Sequence, residues 1–142
     1  MNAIILPLDR ESAEKILRGQ TSMLPWIKNF KRPVDRIVVA IKAPIGQLAI
    51  GAVGVESKAW VNKYTASNRI LKADASLPKM YWYDYENSHK VCLFKLTKEV
   101  CVFDSPVLVE DLAGIRNIGS GMYLEEGIDD NLIRIIGGGF DE

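Results

Sequence analysis

Apolar residues fall along this chain in short blocks separated by glycine, proline and charge, and the spacing within each block predicts its element. Ala3-Ile4-Ile5-Leu6 is an unbroken apolar run of the length expected for a buried strand. Asp9 follows, a residue whose carboxylate caps the free N–H groups at a helix start. Glu11 then sits in the first turn, where the helix dipole favours an acid. Ala13, Ile16 and Leu17 share one face at helical spacing, Arg18 closes the last turn, and Gly19 supplies a left-handed exit. Thr21 to Arg36 has no clear period, is broken by Pro25 and Pro33, and reads as irregular. Ile37-Val38-Val39-Ala40-Ile41 is a second apolar run and predicts a central strand. Ala43-Pro44-Ile45-Gly46 turns the chain into a further strand, Gln47 to Glu56, whose internal Gly51 and Gly54 predict a bulge or a barrel bend.

The second half is patterned more weakly. Trp60, Val61 and Tyr64 fit one face of a helical turn, and Ser76 begins a short helix reaching Tyr85. Lys90 to Leu96 and Glu99 to Phe103 alternate like strands and predict a hairpin across Thr97-Lys98. Pro106 starts a turn, Val109 to Leu112 forms one helical turn, and Gly119-Ser120-Gly121 is a loop. For Leu132 to Ile136 two readings stand: a last helix capped by Asp129 or Asp130, or a terminal strand; Gly137-Gly138-Gly139 reads as a flexible tail. Five or six short strands with glycine bends and short helices between them predict an α+β class with a small curled sheet or barrel.

Composition narrows the class. The 142 residues, 48% hydrophobic and 25% charged, fit one globular domain, 1–142. No apolar run approaches the roughly 20 residues of a membrane helix. Met1 to Leu8 is too short and lacks the basic start of a signal peptide, so a cytoplasmic location and no membrane partner are expected. Cys92 and Cys101 lie in alternating apolar surroundings and read as core thiols, which pairing of neighbouring strands would bring close enough to bridge in an oxidising compartment. The net charge is zero but uneven: residues 1–72 carry 12 Lys and Arg against 5 Asp and Glu, and residues 73–142 carry 6 against 13. Halves of opposite sign either pair on folding or present a charged face to a partner.

Catalytic and metal chemistry find few residues. The one histidine, His89, precedes a strand and reads as a turn residue. With two cysteines at these spacings it does not assemble a zinc set. Glu125-Glu126 and Asp129-Asp130 read as helix capping and a solvated acidic turn, so no metal is expected. Gly119-Ser120-Gly121 lacks the strand-then-helix setting of a dinucleotide loop, and no phosphate loop is present, so no cofactor is expected. Binding chemistry is better supplied. Trp26, Lys28, Phe30, Lys31, Arg32 and Arg36 mix cations with aromatics, and Trp60, Lys63, Tyr64 and Arg69 repeat the mixture. Single-stranded nucleic acid is held in this way, with cations along the phosphates and rings stacked on bases. The competing reading makes Trp26, Phe30 and Trp60 core residues rimmed by solvated lysines.

Three stretches together carry a resemblance. They are Ile4-Ile5-Leu6-Pro7 with Ala13 to Ser22; Ile37 to Ile41 with Ala43 to Gly51; and Trp82-Tyr83-Asp84-Tyr85 ahead of Lys90 to Leu96, with Phe103-Asp104-Ser105-Pro106 and Leu112 beyond. Over residues 3–124 the chain resembles an ASCH domain of the PUA-like superfamily. The resemblance implies a small β-barrel with surrounding helices, a cleft facing the loop after the first helix, and a link to RNA. The family's signature loop, Gly-x-Lys-x-x-Glu-x-Arg, is matched at Gly19 only. Thr21, Leu24 and Trp26 stand at its Lys, Glu and Arg positions, and Ser22 keeps the hydroxyl of the Thr that commonly follows the Lys. Members that hydrolyse acyl groups from modified cytidine use the loop lysine, and Thr21 has no amine.

The expected function is therefore binding without catalysis, with RNA, single-stranded nucleic acid or a nucleotide as partner. Gly19, Thr21 and Ser22 would floor the cleft, Trp26 and Tyr85 would stack a base, and Lys28, Lys31, Arg32 and Lys63 would meet phosphates. Two alternatives remain. One is a regulatory module that binds a protein partner and has lost the ligand site; the other is a hydrolase acting on RNA or a modified nucleoside.

Overall fold

The computed structural model describes residues 2–44, 46–73, 90–114 and 117–124. The elements are β1 (Ala3–Leu8), α1 (Arg10–Leu17), β2 (Met23–Trp26), β3 (Arg36–Ala43), β4 (Gly46–Asn62), α2 (Lys63–Ala73), β5 (Lys90–Leu108), α3 (Val109–Ala113) and β6 (Met122–Tyr123). Among the described residues, six strands form one sheet in the order β2-β5-β4-β3-β1-β6. β1 and β3 run parallel and the other neighbours antiparallel. The sheet curls into a half-barrel, so the α+β barrel-like class predicted from the pattern holds. No helix among the described residues is long and apolar enough to cross a membrane.

β1 and β3 are apolar along their length because both faces are covered. Ile4, Leu6, Leu8, Ile37, Val39 and Ile41 face a core closed by α1, Trp26 and Phe30. Ala3, Ile5, Val38 and Ala40 face a second core under α3 and residues 118–124. α2 covers a smaller cluster of Ala66, Ile70, Val91 and Leu93. α1 begins as predicted: the Asp9 carboxylate accepts from the Ser12 N–H at 3.1 Å and from the Ser12 hydroxyl. It ends at Gly19 with φ +71°, and Gly19 N–H and Gln20 N–H donate to Ile16 O and Lys15 O.

Four local expectations are corrected. The irregular stretch after Gly19 contains β2, in which Pro25 is tolerated because β2 lies at the sheet edge and pairs only with β5. The predicted hairpin across Thr97-Lys98 is a bulge in one continuous β5. Leu96 pairs with Val55 and Val100 with Val53, so Thr97 to Glu99 stand opposite Gly54 alone. A tight hairpin needs positive φ in its loop, which Thr-Lys does not favour, whereas the long β4 offers a partner to both halves of β5. A Cβ at Gly54 would press on the Thr97 hydroxyl, so the glycine admits the bulge. The bends expected at Gly51 and Gly54 coincide with register shifts between Ala49 and Gly51 and between Val53 and Val55. Trp60 and Val61 belong to β4, opposite Cys92 and Val91, and only Tyr64 is helical. Pro106 lies within the last residues of β5 rather than starting a turn.

Cys92 and Cys101 are buried free thiols nine positions apart on the same strand, facing different cores, so strand pairing does not bring them together. Burial pushes both thiol pKa values up. The predicted helix from Ser76, the alternatives at Leu132 to Ile136, His89, the acidic pairs at 125–126 and 129–130, and the glycine triplet lie outside the described residues.

Candidate functional site

The half-barrel leaves a gap between its end strands, β2 and β6. Side chains bridge it where no backbone ladder forms. The end of β2 and the chain after it run beside residues 120–123, and four bonds join them. Trp26 Nε1–H donates to Ser120 O at 2.6 Å, Lys28 Nζ to Gly121 O at 2.6 Å, Arg32 N–H to Tyr123 Oη at 2.8 Å, and Tyr123 Oη–H to Arg32 O at 3.3 Å. The Arg32 guanidinium stacks on Tyr123, 3.8 Å from the ring centroid, and the Lys28 ammonium lies 5.4 Å from the Phe30 ring centroid. Trp26→Phe tests this bridge, because it removes the indole N–H and part of a buried ring. It should cost about 2 kcal/mol or more, from the lost hydrogen bond, the orphaned carbonyl and the space left by the smaller ring. Urea unfolding measures it, and an unchanged midpoint would mean that the bond carries no stability.

At the Trp26 end of this seam a cleft of about 430 Å³ opens. Its lining comes from five places: Pro7 and Leu8 at the end of β1, Asp9 at the cap of α1, Trp26 and Ile27 at the end of β2, Lys42 and Gln47 either side of the β3–β4 turn, and Gly119 and Ser120. The parallel pairing of β1 with β3 delivers Leu8 and Ile41 side by side, which carries Lys42 to the same end. The Gln47 Oε1 accepts from Ile118 N–H at 3.1 Å, and Asn117 Oδ1 accepts from Gly119 N–H at 2.8 Å, so the loop forming the far wall is pinned. Its walls are mainly apolar, with an ammonium, a carboxylate, an amide and a hydroxyl as the polar groups.

The residues expected at the site fall in different places. Trp26 is on the cleft wall, but it is only 6% exposed and its N–H is committed, so it offers an edge rather than an open face. Lys28 and Arg32 serve the seam, while Lys31 is exposed. Gly19, Thr21 and Ser22 stay together on their loop and do not line this cleft, which lies at the start of α1 rather than at its end. Thr21 is buried with no hydrogen-bond partner for its Oγ1 among the described residues, and Ser22 O accepts from Leu96 N–H at 2.8 Å. Lys63 lies with its ammonium 5.5 Å from the Tyr64 ring centroid. Tyr85 lies outside the described residues. Of the aromatics weighed as core, Trp26 and Phe30 are buried, and Trp60 is 39% exposed.

Lys42, Gln47, Asp9 and Ser120 are the polar cleft residues that sequence reasoning did not select. The Gly119-Ser120-Gly121 loop was visible as glycine punctuation, but its partner Trp26 lies 94 positions away. No local period marks Lys42.

No family model and no curated protein sequence matches this chain. Solved structures do match. ASCH from Zymomonas mobilis superposes with a TM-score of 0.72 at 20% identity, covering 94% of this chain and 94% of that one. A point mutant of the same protein gives 0.72 at 19% identity over 95% of this chain and 99% of that one. A hypothetical protein from Leishmania major gives 0.56 at 12% identity over 97% and 96%. The agreement spans nearly the whole of each chain and the same half-barrel, as the sequence resemblance implied, and at these identities it speaks for the fold: this chain has the fold of an ASCH domain.

Proposed function

We propose that the chain is a non-enzymatic RNA- or nucleotide-binding domain that holds one nucleotide unit in the cleft beside Trp26. One observation carries the reading: a cleft of about 430 Å³, mostly apolar in lining, with the Lys42 ammonium at its wall and no ion pair for Lys42 among the described residues. That volume lies in the range of small-molecule sites, and an apolar slot with a few placed polar groups suits a base and its phosphate. The base would lie against Leu8, Ile27 and the Trp26 edge. The phosphate would meet Lys42, and the Gln47 NH2 group would face the ligand while its Oε1 holds Ile118.

Binding of uridine and cytidine monophosphate, followed by calorimetry, tests this. Lys42→Ala should weaken binding by about tenfold or more, the usual worth of a charge-assisted hydrogen bond. Absence of binding by the intact protein, or equal binding by Lys42→Ala, would remove the cleft from the function. A hydrolase is the second reading, favoured by the presence of an amine, Lys42, and a hydroxyl, Ser120, in one cleft lining. Turnover of acylated cytidine that disappears in both Lys42→Ala and Ser120→Ala would replace binding by catalysis.

A further inference from the structure

β4 outruns β3. Its last tie on that side is Val55 N–H, which donates to Asp35 O at 2.9 Å just before β3 begins. From Glu56 to Asn62, β4 pairs with β5 alone among the described residues. Strand alternation decides where its backbone groups point. Leu96 N–H donates to Ser22 O at 2.8 Å, so Phe94 and Cys92, at the same parity, turn their backbone groups toward β2. Pro25 agrees with this parity, since it stands opposite Leu93, where no N–H is required of it. Lys95, Leu93 and Val91 therefore bond across to Ser57, Ala59 and Val61. Lys58, Trp60 and Asn62 are left with N–H and C=O groups directed away from the sheet.

The neighbouring elements lie on the two faces rather than across this edge. α2 packs with Val91, Leu93 and Met23, which sets it over β5 on the side toward β2. Phe30 lies against Phe94 on the other face. The Asn62 Oδ1 accepts Thr65 N–H at 2.8 Å, so the last side chain of the edge caps α2. The free half of β5 is blunted in the usual ways: the bulge at Thr97 to Glu99, exposed charges at Lys98, Glu99 and Asp104, and Pro106. The edge of β4 reads Ser57-Lys58-Ala59-Trp60-Val61, with one charge and no proline. Such an edge is a template for another strand. An identical edge fits it. In antiparallel pairing about a two-fold axis, outward-directed residues must meet each other, and an axis at Ala59 does this while using the whole stretch from Glu56 to Asn62. It sets Lys58 opposite Trp60 of the second copy, twice over, and Glu56 opposite Asn62. No like charges are directly opposed, and the small Ala59 side chains meet at the axis.

We infer that the edge of β4 from Glu56 to Asn62 is a self-association surface, on which a second copy of this chain pairs antiparallel about Ala59 to join two half-barrels into one continuous sheet. The inference is independent of the nucleotide cleft, whose lining includes no residue of this stretch.

Sedimentation of the purified chain over a wide concentration range should show a reversible monomer–dimer equilibrium. Lys58→Pro removes an outward N–H that the fold of one copy does not use, and should leave monomer only. Trp60→Lys keeps the backbone, sets like charges opposite each other across the axis, and should weaken association by about tenfold. Adding Lys58→Glu to it puts opposite charges in register and should restore the dimer, which a merely structural defect would not allow. Ala59→Cys tests the register. Non-hydrogen-bonded pairs bring Cα atoms to about 4.5 Å, within the span of a disulfide, so mild oxidation should link two copies. Cys92 and Cys101 are buried, so the unmodified chain should not link. Melting curves verify that each variant folds, and Trp60→Lys carries the test if Lys58→Pro melts early. A monomer at every concentration would overturn the inference. So would a dimer that survives Trp60→Lys, a charge pair that fails to restore association, or Ala59→Cys copies that stay unlinked while the unmodified chain dimerises.

Discussion

Phe30→Ala should lower the unfolding free energy by about 3–5 kcal/mol, the usual cost of emptying a fully buried phenylalanine site. Phe30 is 0% exposed and spans from β6 to β5. Its ring meets Tyr123 edge-on, 5.2 Å between centroids at 86°, and Phe94 at 6.2 Å and 49°. The Lys28 ammonium lies over it at 5.4 Å from the centroid. Truncation therefore leaves a cavity, removes two aromatic contacts and frees the lysine that bonds Gly121. For a chain of this size the loss corresponds to a fall of roughly 10 °C or more in Tm. Thermal and urea unfolding should agree, and Phe30→Leu should recover part of the loss because it keeps most of the volume. A cost below about 1 kcal/mol for Phe30→Ala would mean that the half-barrel does not depend on this ring.

The second large effect is expected at the other side of the same contact. Gly121 has φ +104°, where residues with a Cβ are strained. A Cβ built there would lie 2.5 Å from Leu6 Cδ2, 3.0 Å from Ile5 O and 3.2 Å from Phe30 Cζ. The middle contact is backbone of a central strand and does not yield. Gly121→Ala should thus cost about 3 kcal/mol or more, strain and overpacking together. Gly114→Ala is the control. Gly114 also has positive φ, +72°, but a Cβ there meets nothing within 4 Å, so strain alone should cost about 1 kcal/mol. Equal losses in the two variants, read from urea midpoints, would show that the crowding against Ile5 is not what requires a glycine at 121. Because Gly121 O accepts from Lys28, Gly121→Ala should also widen the cleft next to Ser120 and weaken nucleotide binding.

Elements governed by rules that span a few residues were legible. β1 and β3 announced themselves as apolar runs, and α1 as a capped, helically spaced face closed by glycine. The turn before Gly46 and the bends at Gly51 and Gly54 followed from backbone freedom that only glycine has. Elements decided by distant partners were misread. Pro25 looked like a breaker until the position of β2 at the sheet edge left its missing N–H without consequence. Thr97-Lys98 looked like a turn until β4 proved long enough to pair with both sides of it. Trp60 fitted a helical face as well as a strand until its pairing with Cys92 decided the matter.

The sequence alone determined the kind of domain: its α+β class, its first helix with both caps, the curl at the glycines, the resemblance that the solved ASCH structures bear out at the level of fold, and the missing amine at Thr21. It also marked the basic and aromatic residues of the chain. Only the tertiary structure decided where each of them lies. Trp26 is drawn into the core because its N–H finds Ser120 O, 94 residues on, and Lys28 is taken by Gly121. Lys42 reaches the cleft because parallel pairing with β1 places the end of β3 there. Trp60 keeps 39% of its surface exposed where β4 outruns β3. Local spacing fixes which way a side chain leaves its own element, while burial and bonding depend on which distant element the fold sets against it.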